Sequence, residues 1–243
     1  MTTVDYDQHA AEYARHRRPY SGLVEHLIEY AGLTSSSRVL EVGCGTANHL
    51  AGVQQETGSR AVGVDPSAEM LHAAADHPAE LELLRGRAEE LDFPEESFDL
   101  IFSIDVIHHL PDPGPYFSRA FRALKPGGLL CTATDSEWII RNRVPVARYF
   151  PATVDAELAR YHPVPALAAS QRAAGFSTEH ERVLESFYEL TDAASYSQKA
   201  FSVLHLISEQ DFEEGLTALR ADLEKGPIEA NMRICALWSR KPA

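Results

Sequence analysis

Arg38-Val39-Leu40-Glu41-Val42-Gly43-Cys44-Gly45-Thr46-Ala47 runs from an apolar segment into a pair of glycines. Val39, Leu40 and Val42 make a short apolar run that ends in Gly43-Cys44-Gly45, the pattern of a buried parallel strand entering a tight turn. Glycines at such a handover let backbone approach a ligand closely and leave the first amides of the next helix facing it; the same turn also serves plain strand-helix packing. Working outward, the pattern downstream predicts a helix over 47–56, a strand over 61–65, a helix over 68–76, and strands over 81–84 and 98–104. A helix over 116–124 and a strand over 129–134 follow, the strand entered through Lys125-Pro126-Gly127-Gly128, which ends the helix and turns the chain. Upstream, residues 6–30 read as two helices broken at Pro19, the first with Ala10, Tyr13 and Ala14 on one face, the second with Leu23, Leu27 and Ile28.

Past Asp135 the rhythm changes. The residues up to Val164 hold Trp138, Tyr149, Phe150 and Tyr161 without a strand pattern, and read as an insertion at the sheet's edge. A helix over 166–174, a strand over 176–187, a helical stretch over 193–223 and a strand over 232–240 complete the chain. Strands and helices in this order predict an α/β, Rossmann-like doubly wound, mostly parallel seven-stranded sheet with helices on both faces, built as a single domain.

Composition narrows the function. With 22 Lys plus Arg against 36 Asp plus Glu, the net charge of -14 repels phosphate backbones, so nucleic acid is not the expected partner. The Arg15, Arg17 and Arg18 cluster is too short to reverse that field. No apolar window is long enough for a membrane span and the opening residues lack a secretory pattern, so the expected compartment is the cytoplasm. Cys44, Cys131 and Cys235 form neither a CxxC pair nor an even disulfide set, and no ligand cluster for a metal stands out.

The chemistry begins at Val62-Gly63-Val64-Asp65, an apolar strand ending in an acid 22 positions after Gly43, the spacing at which a carboxylate accepts ribose hydroxyl bonds. Asp65 also reads as a cap for the helix beginning near Ser67. Glycine turn and strand-end acid together point to an adenosine-containing ligand. Added to these are the stretch from Gly86-Arg87-Ala88-Glu89 through Phe98-Asp99, the segment Ile107-His108-His109-Leu110, and Arg122 through Gly128. In that order they resemble class I S-adenosylmethionine-dependent methyltransferases, in the broad group that includes ubiquinone and menaquinone methyltransferases. The resemblance spans residues 38–134.

It implies S-adenosylmethionine as cofactor, with the turn Gly43, Cys44 and Gly45 against its methionine portion, the Cys44 thiol itself being a packing group. Asp65 would hold the ribose hydroxyls, and Ser67 and Met70 would flank the adenine, Met70 offering a polarizable surface. Where many members carry an acid that takes the adenine amino group, this chain has Arg87, so either the Ala88 backbone and the Glu89 side chain read the adenine edge or packing does. Residues 1–34, with Tyr13 and Arg18, are similar to the amino-terminal helices that close over the cofactor, and residues 38–134 to the cofactor core. The segments 135–165 and 188–228 would wall a small-molecule methyl acceptor. Their aromatics (Trp138, Tyr149, Phe150, Phe187, Tyr188, Tyr196, Phe201) suggest an apolar or aromatic one.

Ser103 and the residues after it would lie beneath the methyl sulfonium, since ligands of such sheets sit beyond the carboxyl ends of the strands. His108 and His109 are the catalytic candidates there, because imidazole accepts a proton near neutral pH and one of the pair can deprotonate an attacking nucleophile; a structural role in the loop is the alternative. Methyl transfer from a sulfonium also proceeds on alignment alone. A non-catalytic S-adenosylmethionine-binding regulator or scaffold is the competing reading. A dinucleotide dehydrogenase is disfavoured, because Asn48 stands where its third glycine would fall.

Overall fold

Successive residues of β1 (Arg38–Val42) feed two different cores, because side chains alternate across a strand. Leu40 and Val42 point into one apolar cluster, and Val39 into another on the opposite face. In the computed structural model, which describes Tyr20 and residues 22–243, this alternation makes a three-layer α/β/α body. The element order after α1 (Leu23–Ala31) is β1, α2 (Asn48–Thr57), β2 (Arg60–Asp65), α3 (Ala68–Ala74), β3 (Leu81–Arg85), β4 (Phe98–Ile104), α4 (Gly114–Ala123) and β5 (Leu124–Thr134). Then come α5 (Glu137–Asn142), α6 (Val146–Tyr149), α7 (Ala152–Leu158), α8 (Val164–Ala173), β6 (Ser177–Leu190), α9 (Ala194–Ser197), α10 (Glu209–Leu223) and β7 (Ile228–Arg240).

The sheet has seven strands in the order β3-β2-β1-β4-β5-β7-β6, parallel except that β7 runs antiparallel between β5 and β6. The strand order reverses beside β1, where β2 and β4 flank it on either side, and a crevice opens there at the carboxyl ends. One face is covered by α4 and α8, whose Tyr116, Phe117, Ala120, Leu167 and Ala168 meet Leu40, Val62 and Ile101. The other is covered by α1 and α2, through Leu23, Leu27, Leu50 and Val53.

A third apolar cluster stands apart from both faces. Val146, Tyr149 and Phe150 from the first late segment meet Tyr196, Leu204, Phe212, Leu216 and Leu219 from the second, so the two segments fold together into one cap. Gly215 makes that possible, since a Cβ there would lie 2.4 Å from the Tyr149 carbonyl oxygen and 2.5 Å from the Phe150 ring.

Three expectations change in detail. The stretch 193–223 is not one helix but α9, a single 3₁₀ turn (Ser202–His205) and α10, the last begun by Ser208, whose hydroxyl accepts the Asp211 amide at 3.1 Å. Residues 188–190 belong to β6, which pairs with β7 as far as Leu190. Residues 135–165 leave β5, an interior strand, and lie over the carboxyl ends rather than beside an outer strand: Tyr161 stacks on His108, and His162 bonds the Leu110 carbonyl oxygen at 2.8 Å. Tyr13 and Arg18, with most of the expected amino-terminal closing segment, lie outside the described residues.

Candidate active site

The glycine turn is held by the strand beside it. Gly43 and Cys44 both donate their amides to the Val64 carbonyl oxygen, at 2.7 and 3.0 Å, so the turn is fastened to the end of β2. Gly43 has φ of 70°, and a Cβ there would lie 2.2 Å from Val106, so only glycine lets the turn sit this close to the loop after β4. At the end of β2 the Asp65 carboxylate is fixed by two backbone amides, Gly45 N at 2.8 Å on one oxygen and Ser67 N at 2.9 Å on the other. Ser67 is itself the N-cap of α3, accepting the Met70 amide at 3.2 Å. Asp65 therefore supports the cap rather than being it.

Beneath the turn lies buried Glu41, which accepts the Leu50 amide at 3.1 Å. Burial pushes its carboxyl well above the usual range, the Leu50 bond opposes that, and the nearby Asp65 charge adds to it. His49 links this layer to Tyr20: its Nε2 accepts the Tyr20 amide at 3.2 Å, and the Tyr20 hydroxyl donates to Asp105 at 2.8 Å. Asp105 closes β4 at φ of 55°, with its amide given to the Ala133 carbonyl oxygen at 3.0 Å.

Tyr20, Gly43, Gly45, Asp65, Ser67, Met70 and Asp105 line one cleft of about 650 Å³. Gly43, Gly45, Asp65, Ser67, Met70, Arg87, Ala88 and Glu89 form one end, while Val146, Arg143, Glu157, Tyr161, Phe201 and Val203 from the cap form the other. His108, His109 and Asp105 lie on the floor between them. Arg143 ties cap to core: it donates to Asp135 at the end of β5 at 2.9 Å and to Glu157 on α7. Burial works against the Arg143 charge, but Asp135, Tyr161, Tyr20 and Asp105 outweigh it and hold the guanidinium more firmly protonated. Burial, with Asp135 and Asp105 adding, pushes the Tyr161 phenol well above its ordinary range, so its hydroxyl is a donor at neutral pH.

Residues 40–132 match the family model described as a methyltransferase domain. Among curated relatives, sterol 24-C-methyltransferase of Pneumocystis carinii is 32% identical over 126 residues, covering 49% of this chain and 33% of that protein. Ubiquinone biosynthesis O-methyltransferase of Rhodopseudomonas palustris is 36% identical over 104 residues, covering 41% of this chain and 40% of that one. Among solved structures, phosphoethanolamine N-methyltransferase 2 of Haemonchus contortus, in complex with phosphomonomethylethanolamine and S-adenosylhomocysteine, superposes with a TM-score of 0.62 at 19% identity. That likeness covers 98% of this chain and 58% of the other. Residues 40–132 thus carry a methyltransferase domain. The chain spans a third to two fifths of the length of these curated relatives.

S-adenosylmethionine is the cofactor of the methyltransferase domain, and the residues present fit it. A carboxylate fixed by two amides at a strand end can accept about four hydrogen bonds, the acceptor a ribose diol needs. A Cβ at Gly45 would meet nothing within 4 Å, so the turn faces open cleft. Met70, almost wholly buried yet on the cleft wall, and Ala88 give the apolar surface a purine requires. Glu89 stands at the same end, its carboxylate 3.9 Å from Arg87.

Two sequence-predicted cofactor residues do not reach the cleft. The Cys44 thiol turns inward against Gly63, where a Cβ would come within 2.8 Å of the sulfur, and burial with the Glu41 and Asp65 charges pushes it far above the usual thiol range. Ser103 is buried in β4 beside the Tyr116 phenol, one residue short of the cleft-lining Ile104 and Asp105. Of the aromatics expected on the acceptor wall only Phe201 lines the cleft: Tyr149, Phe150 and Tyr196 build the cap's own core, Trp138 and Phe187 are exposed, and Tyr188 is also outside the cleft. Asp105, Asp135, Arg143, Glu157 and Tyr161 join the site in the structure. The sequence carries a signal for Asp105, its position directly after the fourth strand, and for Tyr161, an aromatic in the 135–165 segment; it carries none for the other three. Among the described residues no group of three or more His, Cys, Asp and Glu could hold a metal, and no helix is long and apolar enough to cross a membrane.

Proposed function

We propose that the protein transfers the methyl group of S-adenosylmethionine to a small-molecule acceptor held between the strand ends and the cap, with His108 taking the acceptor's proton. The observation that carries this reading is the single cleft in which the fixed Asp65 carboxylate at one end and the cap at the other are separated by the His108 floor. The cofactor supplies a methyl on a good leaving group, so the protein's task is alignment, exclusion of water and removal of a proton. Asp65 and the Gly43–Gly45 turn fix the donor end, Tyr20 and Asp105 bracket the middle, and Tyr161, Val146, Phe201 and Val203 shape the acceptor end. His108 is half-buried beside them, while His109 is exposed, which makes His108 the better-placed base.

The acceptor wall is mixed rather than apolar, since Arg143, Asp135 and Glu157 share it with Tyr161, Phe201 and Val203; this favours an acceptor with an aromatic or apolar body and a polar group. Transfer of label from methyl-tritiated S-adenosylmethionine to small O-, N-, S- and C-nucleophiles tests the proposal. His108→Ala should lower kcat about 10²- to 10⁴-fold for an acceptor protonated at neutral pH while S-adenosylhomocysteine affinity stays within a few-fold. Tight cofactor binding without label transfer to any class would instead support the non-catalytic reading.

A further inference from the structure

The His108 side chain does not stand alone on the floor of the cleft. It belongs to a single 3₁₀ turn (Ile107–His109), a short and weakly held element whose side-chain directions are set by what packs on it. Two consecutive cap residues pack on it. The Tyr161 ring stacks on the His108 ring with centroids 4.2 Å apart and planes 20° apart, and the His162 ring nitrogen bonds the Leu110 carbonyl oxygen at 2.8 Å, one residue past the turn. The His109 ring lies 4.0 Å from His108 at 46°, so it meets the imidazole at a slant that fixes its plane less than the parallel Tyr161 ring does.

Tyr161 shares the cleft lining with Asp135, Asp105, Arg143 and Tyr20, and Arg143 is anchored in turn by Asp135 and Glu157. Tyr161 thus stacks on the imidazole and lines the same cleft as the anchored guanidinium. We propose that Tyr161 is a positioning residue, whose ring fixes the plane of the His108 imidazole so that it faces the acceptor. The stacking ring comes from the cap, 53 residues downstream of His108. The inference rests on the proposed role of His108 as base, and its test has one readout that does not depend on turnover.

Tyr161→Phe keeps the ring, and Tyr161→Leu removes it. In the full-length protein the His108 ring-proton resonances, assigned by their loss in His108→Ala, should be displaced by the tyrosine ring current. Tyr161→Phe should keep that displacement and Tyr161→Leu should lose it. In parallel, Tyr161→Leu should lower kcat by roughly tenfold or more, the cost of loosened alignment, with the KM for S-adenosylmethionine changed less than about threefold. Tyr161→Phe should restore most of the rate, and in the His108→Ala background Tyr161→Leu should cost nothing further. Circular dichroism and thermal midpoints identify a leucine variant that fails to fold, in which case Tyr161→Met replaces it. Unshifted His108 resonances in the ring-deleted variant, or a phenylalanine variant as slow as the leucine one, would overturn the proposal. A silent His108→Ala with the resonances behaving as stated would instead overturn the base assignment and leave the stacking intact.

Discussion

The two ends of the cleft are built in opposite ways. The cofactor end uses backbone: the Val64 carbonyl oxygen takes two amides of the glycine turn, Asp65 takes two more, and the groups that matter lie within residues 43–89. The acceptor end uses side chains brought from afar, with Arg143, Glu157, Tyr161 and Phe201 held by an ion-pair strut, a ring stack and a small core of their own. Backbone geometry is dictated locally and tolerates changes elsewhere; side-chain geometry depends on every element that supports it. The family model matches residues 40–132, which hold the backbone-built end and none of the cap.

The sharpest way to break the comparison is at Asp65. Asp65→Ala should weaken S-adenosylhomocysteine binding on the order of 10²-fold, since two charge-assisted bonds at roughly 1.5 to 3 kcal/mol each are lost before compensation. Calorimetric affinity within twofold of wild type would show that the ribose is held elsewhere. Next is Gly215→Ala, which drives a Cβ into the Tyr149 carbonyl and the Phe150 ring of the cap. An overpacking cost of about 1 to 3 kcal/mol, offset by up to about 1 kcal/mol of helix propensity, should lower the denaturant midpoint and slow methyl transfer. Cofactor affinity should stay within a few-fold. Equal losses in binding and turnover would mean that the halves are one mechanical unit.

The smallest effect concerns the far face of the sheet, which neither end uses. Buried His26 accepts the Trp238 indole N–H at 3.1 Å, and burial, with Arg182 and His180 nearby and Glu29 opposing, holds its pKa below the ordinary 6.5. The unfolded chain therefore takes up the proton first, and this contribution to stability is present above about pH 6.5 and is lost as pH falls through the depressed value. Thermal midpoints of wild type should fall more steeply between pH 6.5 and 5 than those of His26→Gln. Parallel curves would remove His26 from the account.

What the sequence made legible follows the same division. The strands β1, β2, β4 and β5 are legible because each is an apolar run closed by Gly or Asp; strand ends move by up to five residues, as at β5, which begins at Leu124 and bulges before Leu129 instead of starting at 129. Gly43, Gly45, Asp65, Met70, Ala88, Glu89 and the two histidines could be named in advance because strand ends are marked locally and all of them line the cleft. The cap was not readable: α5, α6 and α7 have six, four and seven residues, too few for a periodic stripe to reveal which face is buried. Arg143 is defined as a site residue only by partners 8 and 14 positions away, and Tyr161 by one 53 positions away. Ser103 lies outside the cleft for the reverse reason: it is the right distance along the chain, but strand alternation points it inward, while the Cys44 thiol packs against Gly63 as its place in the turn implies.

The placement of β7 bears on how the molecule is made. It is synthesised after β6 yet lies between β6 and β5, and it runs from the cap cluster at Ile228 to the sheet core at Trp238. Until residues 228–240 exist, β5 has an open edge, β6 has no hydrogen-bonded neighbour, and the cap cluster lacks Ile228. A nascent chain can assemble the order β3-β2-β1-β4-β5 from early, sequential crossovers, but the β5–β7–β6 seam waits for a late strand to thread into place. The five-strand half with the glycine turn is therefore able to form first on the ribosome, and the seam that carries the cap is completed last.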